Sequence, residues 1–169
     1  MFKNTIFRRM TALVLTLALA AAAALPGLAV YPMPIQTAKE TEAVYLFNAD
    51  TGKTILNQNA GQQQYVASLT KLMTALLLLE SGKDLNGEVT VPTALTQEFR
   101  DIQNANGTTM GLRIGETVRR IDLLNAMLIV SANDAASVIA YDVGGSVLDF
   151  VKQMNARAQG LGCTGTNFT

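Results

Sequence analysis

A serine and a lysine three residues apart are the first residues in the chain whose types and spacing suggest chemistry. Ser68 and Lys71 begin and end the segment Ser-Leu-Thr-Lys. On a helix, side chains at i and i+3 are neighbours on one face. A serine hydroxyl needs a base to take its proton, and a lysine amine can be that base if burial lowers its pKa. The pair indicates acyl transfer, with a solvated helix start as the alternative.

A second candidate group, Ser131-Ala132-Asn133, lies between two predicted helices. A hydroxyl in such a loop can relay a proton to a leaving amine, and a carboxamide can hold a peptide group. Both side chains could then face one cleft. The alternative interpretation is an ordinary helix stop followed by an asparagine cap.

The composition excludes several other chemistries. The chain has no histidine and a single cysteine, Cys163, so a Ser-His-Asp triad, a Cys/His zinc site and an intramolecular disulfide are ruled out. The base for an acyl transfer must then be a lysine, a carboxylate or a tyrosine. We predict that Asp134, Asp142 and Asp149 are helix caps or solvated residues rather than metal ligands, and we expect no cofactor.

The first residues have the pattern of an export signal. Lys3, Arg8 and Arg9 precede an apolar run that ends before Pro26, and Gly27-Leu28-Ala29 offers small residues for cleavage. We predict a signal peptide over residues 1–29 and a mature domain over 30–169. A retained membrane anchor is the alternative, although the run falls short of the ~20 residues that a spanning helix needs.

Charge argues against nucleic acid as a partner. Removing residues 1–29 leaves ten basic and thirteen acidic residues, so the mature chain is mildly acidic. No basic patch of the kind that binds DNA or RNA remains. We therefore expect no nucleic-acid partner.

The elements that must position these residues follow from the apolar pattern and the turn residues. Ala43–Phe47 and Lys53–Leu56 predict a β-hairpin around a turn that ends at Gly52. A buried helix is predicted from Ser68 to Ser81, and a short strand near Glu88–Val91 within an otherwise irregular middle section. Three further helices are predicted, from Gly115 to Val130, from Asn133 or Asp134 to Val143, and from Ser146 onward.

Two sequence segments, in the order in which they occur, resemble motifs of a known protein family. They are Ala67-Ser68-Leu69-Thr70-Lys71-Leu72-Met73-Thr74-Ala75, and Asp122-Leu123-Leu124 leading to Ser131-Ala132-Asn133-Asp134-Ala135-Ala136. They resemble the first and second active-site motifs of the low-molecular-weight penicillin-binding proteins that act as serine D-Ala-D-Ala carboxypeptidases. The resemblance extends over most of residues 43–168.

The resemblance implies an α+β fold of the serine β-lactamase/transpeptidase type, with an antiparallel sheet flanked by helices and a separate helical region. It further implies that a peptidoglycan stem peptide ending in D-Ala-D-Ala acylates Ser68, with Lys71 as general base. Ser131 would pass the proton to the leaving D-Ala, and Asn133 would hold the substrate backbone. β-Lactam antibiotics would acylate Ser68 in the same way.

One departure from the family pattern affects these expectations. The third motif, Lys-Thr-Gly on a sheet strand, does not occur before the sequence ends at Thr169. We therefore expect an N-terminal fragment that lacks the C-terminal half of the sheet domain and has impaired carboxypeptidase activity. A β-lactamase-related hydrolase and a non-catalytic penicillin- or peptidoglycan-binding remnant are the alternatives. The expected location is the periplasm or the outer face of the cell membrane, with membrane association left open.

Overall fold

The computed structural model describes residues 42–169, so the predicted signal peptide and the lead-in that follows it lie outside the described residues. Within the described range the chain forms strands β1 Val44–Asn48, β2 Lys53–Gln58, β3 Glu88–Thr90 and β4 Thr117–Arg119; helices α1 Thr70–Glu80, α2 Thr96–Asn104, α3 Arg120–Ile129, α4 Asn133–Gly144 and α5 Val147–Gly160; and 3-10 turns Ala67–Leu69 and Thr93–Leu95. None of the helices in this range is both long enough and apolar enough to cross a bilayer.

The first two strands form the predicted antiparallel hairpin. Asn48 organises the turn, because its side chain accepts a hydrogen bond from the Thr51 N–H and its carbonyl accepts one from the Gly52 N–H. Gly52 has a φ of 69°, in the left-handed region that glycine adopts without steric cost. On one face the rings of Tyr45 and Phe47 stack with centroids 6.3 Å apart. The hairpin prediction is confirmed.

The second sheet is a short antiparallel pair of β3 and β4. The predicted strand near Glu88 is confirmed, but the prediction that Thr117 already belongs to a helix is wrong. Thr117 and Val118 pair with Thr90 and Val89 across the sheet, and the helix begins only at Arg120. β-Branched residues fit a pleated strand well, which is why this entry is extended rather than helical.

The middle section is less irregular than the sequence suggested, because it contains helix α2. Leu95, Phe99 and Ile102 follow the i, i+4, i+7 spacing of a helix face, with Leu95 buried and the other two partly buried. That apolar spacing within a polar stretch was the missed signal.

Helix α4 lies at the centre of the helical region and packs against α1, α2, α3 and α5. Its side chains join those of the neighbouring helices in two apolar clusters, a larger one that contains Leu123 and Val138 and a smaller one that contains Phe150 and Met154. The apolar residues that are no more than 1% exposed on these helices are Leu78, Leu123, Met127, Ala135, Val138, Ile139, Phe150 and Ala158. The predicted apolar face of α5 is confirmed, since Phe150, Met154 and Ala158 are all buried.

Helix α1 is more exposed than predicted. Its buried positions are Thr74, Ala75 and Leu78, whereas Leu72 is 60% exposed. Helices α3, α4 and α5 contact α1, whereas Leu72 and Leu79, one above the other on its remaining side, stay at the surface of the described structure.

The junction between α4 and α5 depends on small residues. A Cβ at Gly144 would lie 2.7–2.8 Å from the backbone and Cβ of Phe150, so only glycine allows this close approach. Gly145 follows with a φ of 79°, and Ser146 then caps α5 by accepting a hydrogen bond from the Asp149 N–H. The predicted helix start at Ser146 is confirmed.

A partly buried ion pair fastens α3 to α4. Arg120 donates two hydrogen bonds to the Asp142 carboxylate, at 2.7 and 3.0 Å, and Lys83 approaches the same carboxylate at 3.4 Å. Burial tends to raise the pKa of Asp142, but the hydrogen bonds and positive charges of Arg120 and Lys83 together lower it. Asp142 is thus not the solvated residue that the sequence suggested.

Candidate active site

Ser68 lies in the 3-10 turn directly before helix α1, and Lys71 lies in the first turn of that helix. The turn begins at Ala67, whose φ of 46° is unusual for a residue with a side chain. Such strained backbone is often found at functional sites, where the surrounding packing holds it in place. Ser68 is exposed at the surface, whereas Lys71 is partly buried.

Ser131 lies in the loop between α3 and α4, and it too has a left-handed backbone, with φ of 61°. The next residue, Ala132, is fully buried, and its N–H donates to the Ala126 carbonyl at the end of α3. Burial of this one methyl group fixes the loop against the core. Ser131 and Asn133, on either side of Ala132, are partly buried and lie beside the start of α1.

The four site residues predicted from the sequence come together in one hydrogen-bonded chain. Ser131 Oγ donates to Ser68 Oγ at 2.9 Å, and Lys71 Nζ donates to Ser131 Oγ at 3.2 Å. Lys71 Nζ also donates to Asn133 Oδ1 at 2.7 Å. Within residues 42–169 no hydrogen bond joins Lys71 directly to Ser68, so the hydroxyl of Ser131 is the link between them.

Partial burial changes the pKa of Lys71. Burial lowers the pKa of its ammonium group, because a charged amine loses favourable solvation when water is excluded. A lowered pKa increases the fraction of neutral amine, which is the form that can accept a proton. An amine of lowered pKa beside two linked hydroxyls is an arrangement that can move a proton away from a serine.

Sequence reasoning missed the role of Asp134, which was interpreted as a helix cap or a solvated residue. It is 2% exposed, and its carboxylate accepts hydrogen bonds from the backbone N–H groups of residues 110–112 as well as that of Ala135. The partners from residues 110–112 are distant in sequence, so no local pattern reveals them. In the described part of the chain, no three or more His, Cys, Asp and Glu side chains cluster closely enough to hold a metal ion.

The sequence and the fold can be compared with those of known proteins. The peptidase S11 family, described as D-alanyl-D-alanine carboxypeptidase, matches residues 32–169. Similar curated proteins include D-alanyl-D-alanine carboxypeptidase DacF of Bacillus subtilis, 32% identical over 136 residues, which are 79% of this chain and 33% of that protein. The D-alanyl-D-alanine endopeptidase of Pseudomonas aeruginosa is 32% identical over 136 residues, 80% of this chain and 42% of that protein.

Solved structures of the same kind resemble the fold. The DD-transpeptidase of Streptomyces K15 matches with a TM-score of 0.67 and 30% identity, over 75% of this chain and 51% of that one. Penicillin-binding protein 5 of Haemophilus influenzae matches with a TM-score of 0.59 and 32% identity, over 70% of this chain and 34% of that one.

The described residues thus have the fold of the penicillin-binding proteins and DD-peptidases, and the predicted α+β class is confirmed. The chain belongs to the peptidase S11 family of D-alanyl-D-alanine carboxypeptidases. It spans about a third to two fifths of the length of the two curated relatives described above.

Proposed function

We propose that this chain carries the acylation chemistry of a serine D-Ala-D-Ala carboxypeptidase, acting on peptidoglycan stem peptides. The observation that supports this most directly is the unbroken chain of hydrogen bonds from Ser68 through Ser131 to Lys71 and Asn133. Membership of the peptidase S11 family indicates the substrate class. The further proposal of an exported protein, working outside the cytoplasmic membrane, rests on this substrate and on the signal-like sequence of residues 1–29.

In the acylation step, neutral Lys71 accepts a proton from the Ser131 hydroxyl, which takes the proton of Ser68. Ser68 Oγ attacks the carbonyl carbon of the penultimate D-Ala, and the carbonyl oxygen becomes an oxyanion. The N–H groups of Leu69 and Thr70 already donate within the 3-10 turn, so the donor that Ser68 brings to that charge is its own backbone N–H. Asn133 holds the peptide backbone of the substrate, and its 2.7 Å contact with Lys71 supports this role.

In the second half of the step, the C–N bond to the terminal D-Ala breaks and the leaving nitrogen needs a proton. Protonated Lys71 returns its proton to Ser131, which passes its own to that nitrogen. The products are free D-Ala and an ester on Ser68, and water then hydrolyses the ester. A β-lactam enters the same route, except that its amide nitrogen stays attached after the ring opens.

A second candidate function differs only in the acceptor of the acyl group. The similar solved structure from Streptomyces K15 is a DD-transpeptidase. In a transpeptidase an amine from another peptide, rather than water, attacks the ester on Ser68. Supplying an amine acceptor with the stem peptide, and measuring new peptide bond against free acid, distinguishes the two.

The test of the acyl-enzyme is intact-mass spectrometry of the purified chain after incubation with benzylpenicillin, beside the variant Ser68→Ala. We expect a stable increase in mass equal to one penicillin in the wild type and none in the variant. Rapid release of hydrolysed penicillin would indicate a β-lactamase instead. Absence of any adduct on a chain whose circular dichroism shows it to be folded would contradict the proposal and leave the non-catalytic remnant.

A further inference from the structure

Asp134 is a buried carboxylate whose partners within the described structure are all backbone N–H groups. Its Oδ1 accepts from Met110 at 3.0 Å and from Ala135 at 2.9 Å. Its Oδ2 accepts from Gly111 and Leu112, both at 3.0 Å. Four such bonds to one buried carboxylate hold those N–H groups in place.

The bonded backbone belongs to residues 107–112, which we call the latch segment. The Asn133 N–H donates to the Thr108 carbonyl at 2.8 Å, which ties the segment to the start of α4 a second time. At Gly107 an added Cβ would lie 3.0 Å from Asn133 Nδ2, so the segment lies against the carboxamide of Asn133. Its other side borders an open depression of about 510 Å³ between it and α2.

We infer that Asp134 is a positioning residue, which holds the latch segment behind Asn133 and thereby directs the Asn133 carboxamide toward Lys71 and the substrate. This inference rests on the proposed function, since the carboxamide matters for catalysis only if Ser68 is acylated. The 2.7 Å bond from Lys71 Nζ to Asn133 Oδ1 is the contact that depends on this support.

The distribution of the bonds explains why a carboxylate is needed. Each oxygen of Asp134 accepts two N–H groups, so Asp134→Asn places an NH₂ group against two donors in either orientation of the amide. The asparagine side chain has almost the same shape. Its NH₂ group, however, cannot accept the two backbone N–H groups that the replaced oxygen accepts, and it faces them as a donor. We expect the latch segment to lose its fixed position and to move toward the depression beside α2.

Asp142→Asn is the matched control. Asp142 is also on α4 and also largely buried, but its partners are Arg120 and Lys83 rather than the latch segment. The acylation rate of both variants is measured over a range of benzylpenicillin concentrations, at a temperature where circular dichroism shows them folded. These data give the maximal acylation rate separately from the concentration at which the rate is half-maximal. We expect Asp134→Asn to lower the maximal rate by about 10-fold to 100-fold, and Asp142→Asn to leave it within about twofold.

Hydrogen exchange of backbone amides supplies a second measurement that needs no activity. In Asp134→Asn the amides of Met110, Gly111, Leu112 and Asn133 should exchange faster relative to those of Val138 and Ile139 in α4. Asp142→Asn lowers global stability but should leave that ratio as in the wild type. The inference would be overturned if Asp134→Asn is acylated at the wild-type rate, or if both variants slow acylation equally. It would also be overturned if the Asn133 amide keeps its wild-type protection in Asp134→Asn. If the wild type itself is not acylated, the proposed function fails, and the exchange of Asn133 alone decides whether Asp134 positions it.

Discussion

The helical region and the β1–β2 hairpin differ sharply in how they treat apolar side chains. In the helical region the large apolar residues are enclosed: Leu123 is fully buried and Phe150 is 1% exposed. In the hairpin they face outward, with Tyr45 58% and Ile55 57% exposed. The two strands pack mainly on each other, whereas α4 packs on four neighbouring helices.

This difference shows where the site obtains its rigidity. Ser68 and Lys71 lie at the start of α1, and Ser131 and Asn133 lie at the start of α4, so both halves of the site are held by the helical core. Within the described residues the hairpin supplies no hydrogen bond to these four side chains. An isolated two-stranded hairpin is marginally stable in water, so the site geometry should not depend on it.

The largest loss of stability is expected when a buried side chain of α3 is shortened. Leu123→Ala should lower the free energy of unfolding by about 3 kcal/mol, because it removes a fully buried side chain and leaves a cavity. Leu128→Ala is the control on the same helix, where the side chain is 48% exposed, and it should cost less than about 1 kcal/mol. Urea denaturation measures both. Equal losses would show that α3 is not packed as described.

The ion pair of Arg120 and Asp142 makes the stability of the helical region depend on pH. Since the pKa of Asp142 is lowered in the folded chain, its contribution is fully present above the ordinary pKa of an aspartate, about 4. The contribution is lost as the pH falls through the lowered pKa. Asp142→Asn should cost about 2 kcal/mol at neutral pH, because Arg120 loses the charge that compensates it.

The measurement for this prediction is the urea midpoint of the wild type and of Asp142→Asn, at about pH 7 and about pH 3. The two midpoints should approach each other in acid. A difference that stays constant with pH would mean that the charge of Asp142 contributes nothing to folding.

The smallest effect is expected in the hairpin. Ile55→Thr keeps a β-branched residue in β2 and removes apolar surface from a side chain that is 57% exposed. It should change the free energy of unfolding of the helical region by less than about 0.5 kcal/mol. The same urea titration, followed by helical circular dichroism, checks this. A loss comparable with that of Leu123→Ala would show that the hairpin is part of the core.

Local patterns were sufficient to predict much of the fold, and the family resemblance was needed to single out the four residues that the hydrogen-bonded chain joins. The turn at Gly52, the helix end near Val143 and the helix start at Ser146 each depend on residues close in sequence, and the structure confirms each to within one residue. The start of α3 was placed too early, because three residues of strand are too short to give a clear alternation. The resemblance of the two motifs to those of a known family implied that Ser68 and Ser131 share one site, and their hydroxyl oxygens are 2.9 Å apart.

What the sequence could not reveal depends on contacts between distant segments. Helical spacing places Lys71 next to Ser68, but it cannot show that the hydroxyl of Ser131 lies between them. The burial of Asp134 likewise depends on the backbone of residues 110–112, whose conformation no short pattern specifies. The exposed side of α1 depends on which helices pack against it, and therefore on the tertiary fold.

In the proposed mechanism, the hydroxyl of Ser131 links Ser68 to Lys71. The most direct test is the rate of acylation by benzylpenicillin in Ser131→Gly beside the wild type, followed by intact mass. Glycine adopts the left-handed backbone of residue 131 freely, so the variant removes the hydroxyl and keeps the loop. We expect the acylation rate to fall by about 100-fold or more. A variant acylated at the wild-type rate would contradict it, because Lys71 would then act on Ser68 without the relay.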